Sequence, residues 1–167
     1  MLQQVEMETI ETKLTYRIAT AADLPACAQL WLEMFEAVGK YRESDFVADW
    51  RERFVRYGTG RIPSGEYRYF VVEDSGGIVG CAGALVRDGY PFEISGVRNG
   101  YIFGVSVKPH MQKRGIATVL TTQCVDFLKE IGVGRILLHA SPFGRPIYQK
   151  MGFIPTNEME LPFKRRL

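Results

Sequence analysis

Along Lys13–Thr20 (KLTYRIAT) apolar residues alternate at Leu14, Tyr16 and Ile18, the period-two pattern of a strand. Thr20 stands three residues before Asp23, close to a capping box, and Pro25 falls in the first turn of a following helix. Leu24, Cys27, Leu30, Trp31, Met34, Phe35 and Val38 then form one helical stripe that Gly39 ends. A second helix is expected from near Ser44, with Phe46, Trp50 and Phe54 at four-residue steps. The stretch Gly58–Gly65, which carries glycine and proline, is expected as a loop. Tyr67–Glu73 (YRYFVVE) and Ile78–Val86 (IVGCAGALV) flank Asp74-Ser75-Gly76-Gly77 and read as a β-hairpin. A loop rich in Gly and Pro, Arg87–Asn99, leads to the strand Tyr101–Val107, with Tyr101, Phe103, Val105 and Val107 expected on one face.

A helix is predicted from about Gly115 to Ile131, its apolar stripe made of Ile116, Val119, Leu120, Cys124, Phe127, Leu128 and Ile131. Gly132-Val133-Gly134 stops it. Arg135–Ala140 (RILLHA) follows as a short strand, then a short helix at Pro146–Lys150 ended by Gly152, and Phe153–Leu161 as one or two closing strands. The order is β-α-α-β-β-β-α-β-α-β. The helix between the fourth and fifth strands makes a βαβ unit, so those two strands should be parallel in an otherwise antiparallel sheet. The fold class expected is therefore α/β with a mixed, mostly antiparallel sheet. Residues 1–13 read as an N-terminal extension and residues 14–167 as a single domain.

Composition narrows the classes. A chain of 167 residues, 46% hydrophobic and 24% charged, suits one domain with a full core. No apolar run approaches the roughly 18 residues a membrane span needs. The first residues, MLQQVEMETIETK, hold three glutamates and no apolar stretch, so a secretory signal is not expected there. Cys27, Cys81 and Cys124 lie far apart without a Cys-x-x-Cys pair, the pattern of free thiols in a cytoplasmic protein rather than of a disulfide framework or a metal site. The net charge of +2 hides an asymmetry. From Arg98 onward 11 Lys or Arg face 4 Asp or Glu, so the second part is basic and the first acidic. A basic part suits a phosphate-bearing ligand and an acidic part a cationic one. Nucleic acid is not expected, since no basic run interleaves with aromatics.

Chemistry concentrates at two places. Gln112-Lys113-Arg114-Gly115-Ile116-Ala117 connects a strand to a helix N-terminus, where unpaired N–H groups and the helix dipole favour an anion. Gly115 and Ala117 leave the backbone approachable, and Lys113 and Arg114 add charge; the same small residues would also relieve crowding in a plain strand-to-helix turn. Neither a Walker loop nor the Rossmann glycine pattern is present. Downstream stands Ser141-Pro-Phe-Gly-Arg-Pro-Ile-Tyr148-Gln-Lys150-Met-Gly152-Phe153.

Together the two segments resemble the GNAT superfamily of acyl-CoA-dependent N-acetyltransferases. Gln112, Gly115 and Ala117 match its Gln/Arg-x-x-Gly-x-Gly/Ala turn; Tyr148, Lys150, Gly152 and Phe153 match its Tyr-x-Lys-x-Gly-Phe signature. The resemblance runs from about Tyr16 to near the end and implies a sheet splayed at the acyl-CoA site. It implies that the backbone of Val105, Ser106 and Val107 pairs with the pantetheine arm of acetyl-CoA. Gln112, Lys113, Arg114, Gly115, Ile116 and Ala117 would cradle its pyrophosphate. Tyr148 would be the general acid for the departing thiolate, a role its chemistry allows, since a phenol of pKa about 10 is protonated at pH 7.

The pattern departs from the family at two points. Where many members place asparagine after the fifth strand, this chain has Ser141, still able to hydrogen-bond the cofactor. Where histone-acetylating members carry a glutamate base, eleven residues before the glutamine, it has Tyr101. The base is open among His139, Glu93, His110 and Glu158. The resemblance puts the acceptor beside the first two helices and the loop before the fourth strand. Glu33, Glu36, Glu43, Asp45, Asp49, Asp88 and Glu93 stand there with the aromatics Phe35, Tyr41, Tyr90 and Phe92, a set suited to a cationic small-molecule or peptide amine. The activity implied is direct acetyl transfer from acetyl-CoA to a primary amine, without metal, membrane or nucleic acid. The alternative is a non-catalytic acyl-CoA sensor of the same fold. Acyl chain length and oligomeric state, monomer or homodimer, stay open.

Overall fold

A computed structural model of the chain describes residues 13–88 and 98–159. Five strands form one sheet in the order β1-β2-β3-β4-β5: β1 Thr15–Ile18, β2 Tyr67–Asp74, β3 Gly77–Asp88, β4 Arg98–Val107 and β5 Arg135–Leu138. The first four are antiparallel, and β4 pairs β5 in parallel, as the βαβ pattern predicts. Helices α1 (Leu24–Ala37), α2 (Trp50–Arg61), α3 (Ile116–Ile131) and α4 (Arg145–Lys150) flank it.

The sheet divides two cores. On one face Phe70, Val72, Val79, Ala84, Val86 and Ile102 pack on Ile116, Leu120, Cys124, Phe127 and Leu128 of α3. On the other, Tyr67, Tyr69, Val71 and Cys81 pack on Leu24, Cys27 and Leu30 of α1. Helix α1 is buried twice over, because Ala28 and Leu32 also pack on Trp50 of α2. Truncating a fully buried leucine such as Leu120 or Leu128 to alanine would cost about 2–5 kcal/mol. All three cysteines are buried and free. No helix among the described residues is long and apolar enough to cross a membrane.

Several boundaries differ from the sequence expectation. Glu43–Asp45 is a single 3-10 turn, and α2 starts only at Trp50, although the Phe46 ring still packs on Trp31 and Trp50 at 5.4 Å from each. The stretch expected as a loop from Gly58 is helix as far as Arg61. A Cβ at position 58 would stand 2.8 Å from Leu24 Cδ1, so this glycine marks where α2 crosses α1, not where the helix stops. The hairpin turn shrinks to Ser75-Gly76, with Asp74 Oδ1 accepting the Gly76 N–H at 2.8 Å. On α3, Val119 is 41% exposed, and Thr121 is buried instead, its hydroxyl donating to Ala117 O. Residues 153–159 form no strand, so the closing strand is absent among the described residues. Residues 1–12, 89–97 and 160–167 lie outside them.

The largest correction is on β4. Phe103 pairs with Gly83 and Ser106 with Cys81, which leaves one extra residue in β4, a bulge. Gly104 takes φ +61°, and a Cβ there would meet Tyr69 Oη at 2.9 Å and Trp31 Cδ1 at 3.3 Å. The bulge reverses the alternation, so Phe103 packs with the α1 core while Val105 and Val107 pack with the α3 core. The four residues expected on one face are split between two.

At the N-terminus of the domain the expected Thr20–Asp23 contact forms: Asp23 Oδ2 accepts the Thr20 N–H at 2.7 Å. Arg17 grips the same carboxylate with two nitrogens, at 2.7 and 2.9 Å, and reaches Glu73 at 2.9 Å. The Arg17 guanidinium holds the Asp23 carboxyl well below its usual range. A depressed carboxylate stabilises the fold above its unfolded pKa, about 4, and that contribution is lost as pH falls below it. Asp23→Asn is therefore expected to lose on the order of 1–2 kcal/mol at pH 7 and clearly less at pH 2, where the unfolded carboxyl is protonated and the folded one still holds Arg17. Urea melts of both proteins at the two pH values check this; an equal difference at both would contradict it.

Candidate active site

Beyond β4 the chain makes a 3-10 turn, Pro109–Met111, anchored by buried Met111. Gln112 is extended, and its Nε2 donates to Val107 O at 3.0 Å, which ties the turn to the end of the strand. Lys113 (φ +62°) and Gly115 (φ +77°) both take the left-handed conformation, bending the backbone into α3. No side chain caps α3, so its first N–H groups point outward unpaired among the described residues. A Cβ on Gly115 would meet nothing within 4 Å. Lys113 and Arg114 are exposed beside it. This is a candidate anion site, assembled from backbone, dipole and two cations.

The approach to that site is an open strand edge. Strand β5 pairs only with Asn99–Ile102 and ends at Leu138, so Phe103–Val107 have no partner on that side among the described residues. The Lys108 N–H bonds Val79 O at 2.8 Å, and alternation then turns the backbone of Ser106 toward β3 and that of Val105 and Val107 toward the open edge. Ser106 is further committed by its hydroxyl, which donates to Leu30 O at 2.9 Å. The edge thus offers Val105 N–H and C=O and Val107 N–H, with Val107 C=O already accepting from Gln112. Of the three strand residues expected to meet a cofactor, Val105 and Val107 turn their backbone to the open edge and Ser106 turns its backbone to β3.

Tyr148 sits in α4, 8% exposed, with its ring edge-on to Phe153 at 6.0 Å between centroids. It belongs to the α3 side of the sheet, where Phe153 joins the core and Cys124 lies near the phenol. Gly144 lets the ring lie on the backbone, since a Cβ there would be 2.9 Å from Tyr148 Cε2. Burial pushes the phenol up to about 12. Ser141 caps this turn, its Oγ accepting the Gly144 N–H at 3.1 Å, which leaves its own O–H free to donate. Burial also pushes the Cys124 thiol up, away from any nucleophilic thiolate.

The four candidate bases part company. His110 is exposed on the Pro109–Met111 turn, with the anion site. His139 follows β5 directly and hydrogen-bonds Tyr101 Oη through Nδ1. Glu158 is exposed, close enough for its charge to act on the same phenol. Glu93, with Tyr90 and Phe92, lies outside the described residues. The Tyr101–His139 contact was not readable from the sequence; it depends on the Tyr101–Leu137 register of the parallel pair, which no local pattern encodes.

Toward the α1–α2 connection, Trp31, Phe35, Tyr41 and Phe46 form a cluster, with Phe35 and Tyr41 at 5.3 Å and Trp31 and Phe46 at 5.4 Å. A polar cavity of about 560 Å³ adjoins it, lined by Glu36, Lys40, Tyr41, Arg42, Ser44 and Asp45. Of the acidic residues, Glu43 pairs with Arg51, Asp49 with Arg53 at 2.8 Å and Asp88 with Arg98 at 3.9 Å. Glu33, Glu36 and Asp45 carry no ion pair among the described residues.

The model of the acetyltransferase (GNAT) family matches residues 26–153, three-quarters of the chain. A crystal structure of a GCN5-related N-acetyltransferase from Ralstonia eutropha is similar at 27% identity and TM-score 0.78, covering 90% of this chain and 99% of its own. A predicted acetyltransferase from Clostridium acetobutylicum, crystallised with acetyl-CoA, is 25% identical at TM-score 0.80, over 90% and 96% of the two chains. Glucosamine-6-phosphate N-acetyltransferase from Arabidopsis thaliana shares the fold at 17% identity and TM-score 0.66, over 90% and 98%. No curated protein matches the chain.

Proposed function

The chain belongs to the acetyltransferase (GNAT) family, and from that premise we propose that it moves the acetyl group of acetyl-CoA to a cationic primary amine by direct attack in a ternary complex. The observation that carries this reading is the uncapped α3 N-terminus, with left-handed Lys113 and Gly115, standing at the end of an unpaired β4 edge. The residues fit the co-substrate. A pyrophosphate would take the N–H groups of the Arg114–Ala117 turn with the charges of Lys113 and Arg114, and a pantetheine amide would pair with Val105 and Val107 as an added strand. Ser141 is free to donate a further hydrogen bond to it.

The thioester would then lie between β4 and β5. Backbone N–H groups of β4 stabilise the oxyanion, typically the largest electrostatic contribution. As the C–S bond breaks, Tyr148 gives its proton to a thiolate whose conjugate pKa is about 8.5. With the phenol pushed up to about 12, it is in the proton-bearing form throughout the neutral range. No cysteine serves as an acyl carrier, because Cys27, Cys81 and Cys124 are all buried in the two cores.

For the acceptor, Glu33, Glu36 and Asp45, which carry no ion pair among the described residues, and the Phe35–Tyr41–Phe46 aromatics favour a second positive charge on the amine. Thiol release should be several-fold faster with dicationic than with monocationic amines of equal length, and the advantage should shrink between about 50 and 500 mM salt as screening sets in. Equal rates at both ionic strengths would remove these carboxylates from recognition.

A further inference from the structure

We propose that His139 takes the proton from the acceptor ammonium through Nε2, and that the Tyr101 hydroxyl is the positioning group that holds the imidazole in the tautomer able to do so. The inference rests on the acetyl-transfer reading and adds to it the base that reading lacks.

Register supplies the placement. Leu137 of β5 is opposite Tyr101 of β4, and His139, two residues on, leaves the strand on the same face. Ile102 and Leu138 point to the α3 core, so Tyr101 and His139 point to the other face, the one that carries α1, α2 and the aromatic cluster. Tyr148 lies on the α3 face. Base and acid therefore flank the gap between β4 and β5 from opposite sides. A nucleophile entering from the α1 side would push the thiolate out toward Tyr148.

Contacts supply the orientation. His139 Nδ1 and Tyr101 Oη are hydrogen-bonded, and the rings meet edge-on, 5.7 Å apart with an interplanar angle of 66°. The Arg87 guanidinium of β3 covers the Tyr101 ring at 4.4 Å, fixing it from the other side. The charged and titratable groups at the pair, among the described residues, are Arg87 from β3 and Glu158 from the segment after α4. Arg98, also on β4, is engaged by Glu66 at 2.7 Å and Asp88 at 3.9 Å. Burial outweighs Arg87 and keeps the phenol neutral. In the proposed arrangement the phenol oxygen accepts the Nδ1–H and turns its own O–H toward the Glu158 side, which leaves the Nε2 lone pair free for a proton.

The proton count closes. An ammonium of pKa about 10 gives one proton to Nε2, and exposed His139 passes it to water. The freed nitrogen attacks the thioester carbon, a C–N bond forms, and the C–S bond breaks with the Tyr148 proton going to sulfur. The proton still on nitrogen leaves through Nε2 and water, and water restores Tyr148. One proton is released per turnover.

Two measurements on the full-length protein test this. Long-range ¹H–¹⁵N spectra of neutral His139 should show the Nδ1–H tautomer in the wild type and a shift toward Nε2–H in Tyr101→Phe. In kinetics with a dicationic amine, His139→Gln should lower kcat/KM by about 10²–10⁴-fold and abolish its acid limb. Tyr101→Phe should lower kcat/KM by about tenfold and move the limb, with acetyl-CoA affinity unchanged in both. Neutral wild-type His139 protonated at Nε2, or His139→Gln keeping the wild-type kcat/KM, would overturn the proposal while leaving acetyl transfer standing. A wild type that binds acetyl-CoA but releases no thiol with any amine would overturn acetyl transfer itself, and the base with it.

Discussion

Tyr148→Phe is expected to lower kcat by about 10²–10⁴-fold, roughly 3–5 kcal/mol of barrier, while acetyl-CoA affinity stays within about twofold. The change removes one hydroxyl and keeps the ring, so the packing on Phe153 and Gly144 persists. The loss belongs in kcat because the proton is needed only as the C–S bond breaks. Burial moves the phenol to about 12, so the wild-type rate should show no alkaline limb from this group below about pH 11. The same shift has a stability consequence. A phenol raised in the fold stabilises it fully below the unfolded pKa, about 10, and that contribution disappears as pH rises from there through 12. Tyr148→Phe should flatten part of that alkaline loss. Steady-state kinetics and calorimetry decide the role: a wild-type kcat would return Tyr148 to packing, and lost affinity would assign its hydroxyl to the cofactor.

Gly115→Glu should weaken CoA binding by about 100-fold or more, roughly 3 kcal/mol. The side chain would project from a position with open space on its outer side, where a pyrophosphate would lie, and would set a carboxylate against it. The positive φ at Gly115 adds a cost unrelated to the ligand, about 1–2 kcal/mol of stability for any residue with a Cβ. Gly115→Ala separates the two. It should lose the same stability as Gly115→Glu and keep most of the affinity. Titration calorimetry with CoA, beside melts of all three proteins, reads both effects; equal affinities for the Glu and Ala variants would take the phosphate away from this turn.

What was legible in the sequence follows a physical division. Elements with strong periodicity, such as the α1 stripe from Leu24 and the α3 stripe from Ile116, were readable because burial on one face imposes the spacing. The parallel β4–β5 pair followed from the intervening helix. The turn into α3 was readable because Gly115 and its neighbours have a local signature. Features set by long-range contact were not. Gly58 looks like a breaker until Leu24 is seen against it. The β4 bulge depends on Tyr69 and Trp31 crowding Gly104, residues distant in sequence, and it alone moves Phe103 away from Val105. Ser106 is expected to offer its backbone at the strand edge, but the β3–β4 register, invisible in the local sequence, turns that backbone toward β3. The Tyr101–His139 pair needs the register of two strands joined by a whole helix.

The central claim is that the anion turn and the open β4 edge serve acetyl transfer rather than CoA binding alone. The measurement that meets it most directly is CoA thiol release from acetyl-CoA in the presence of a dicationic primary amine, with the amine product identified by mass spectrometry. The account predicts one free thiol for each N-acetylated amine, at rates that Tyr148→Phe lowers at least a hundredfold. Tight acetyl-CoA binding with no thiol released, across neutral, monocationic and dicationic amines, would contradict it.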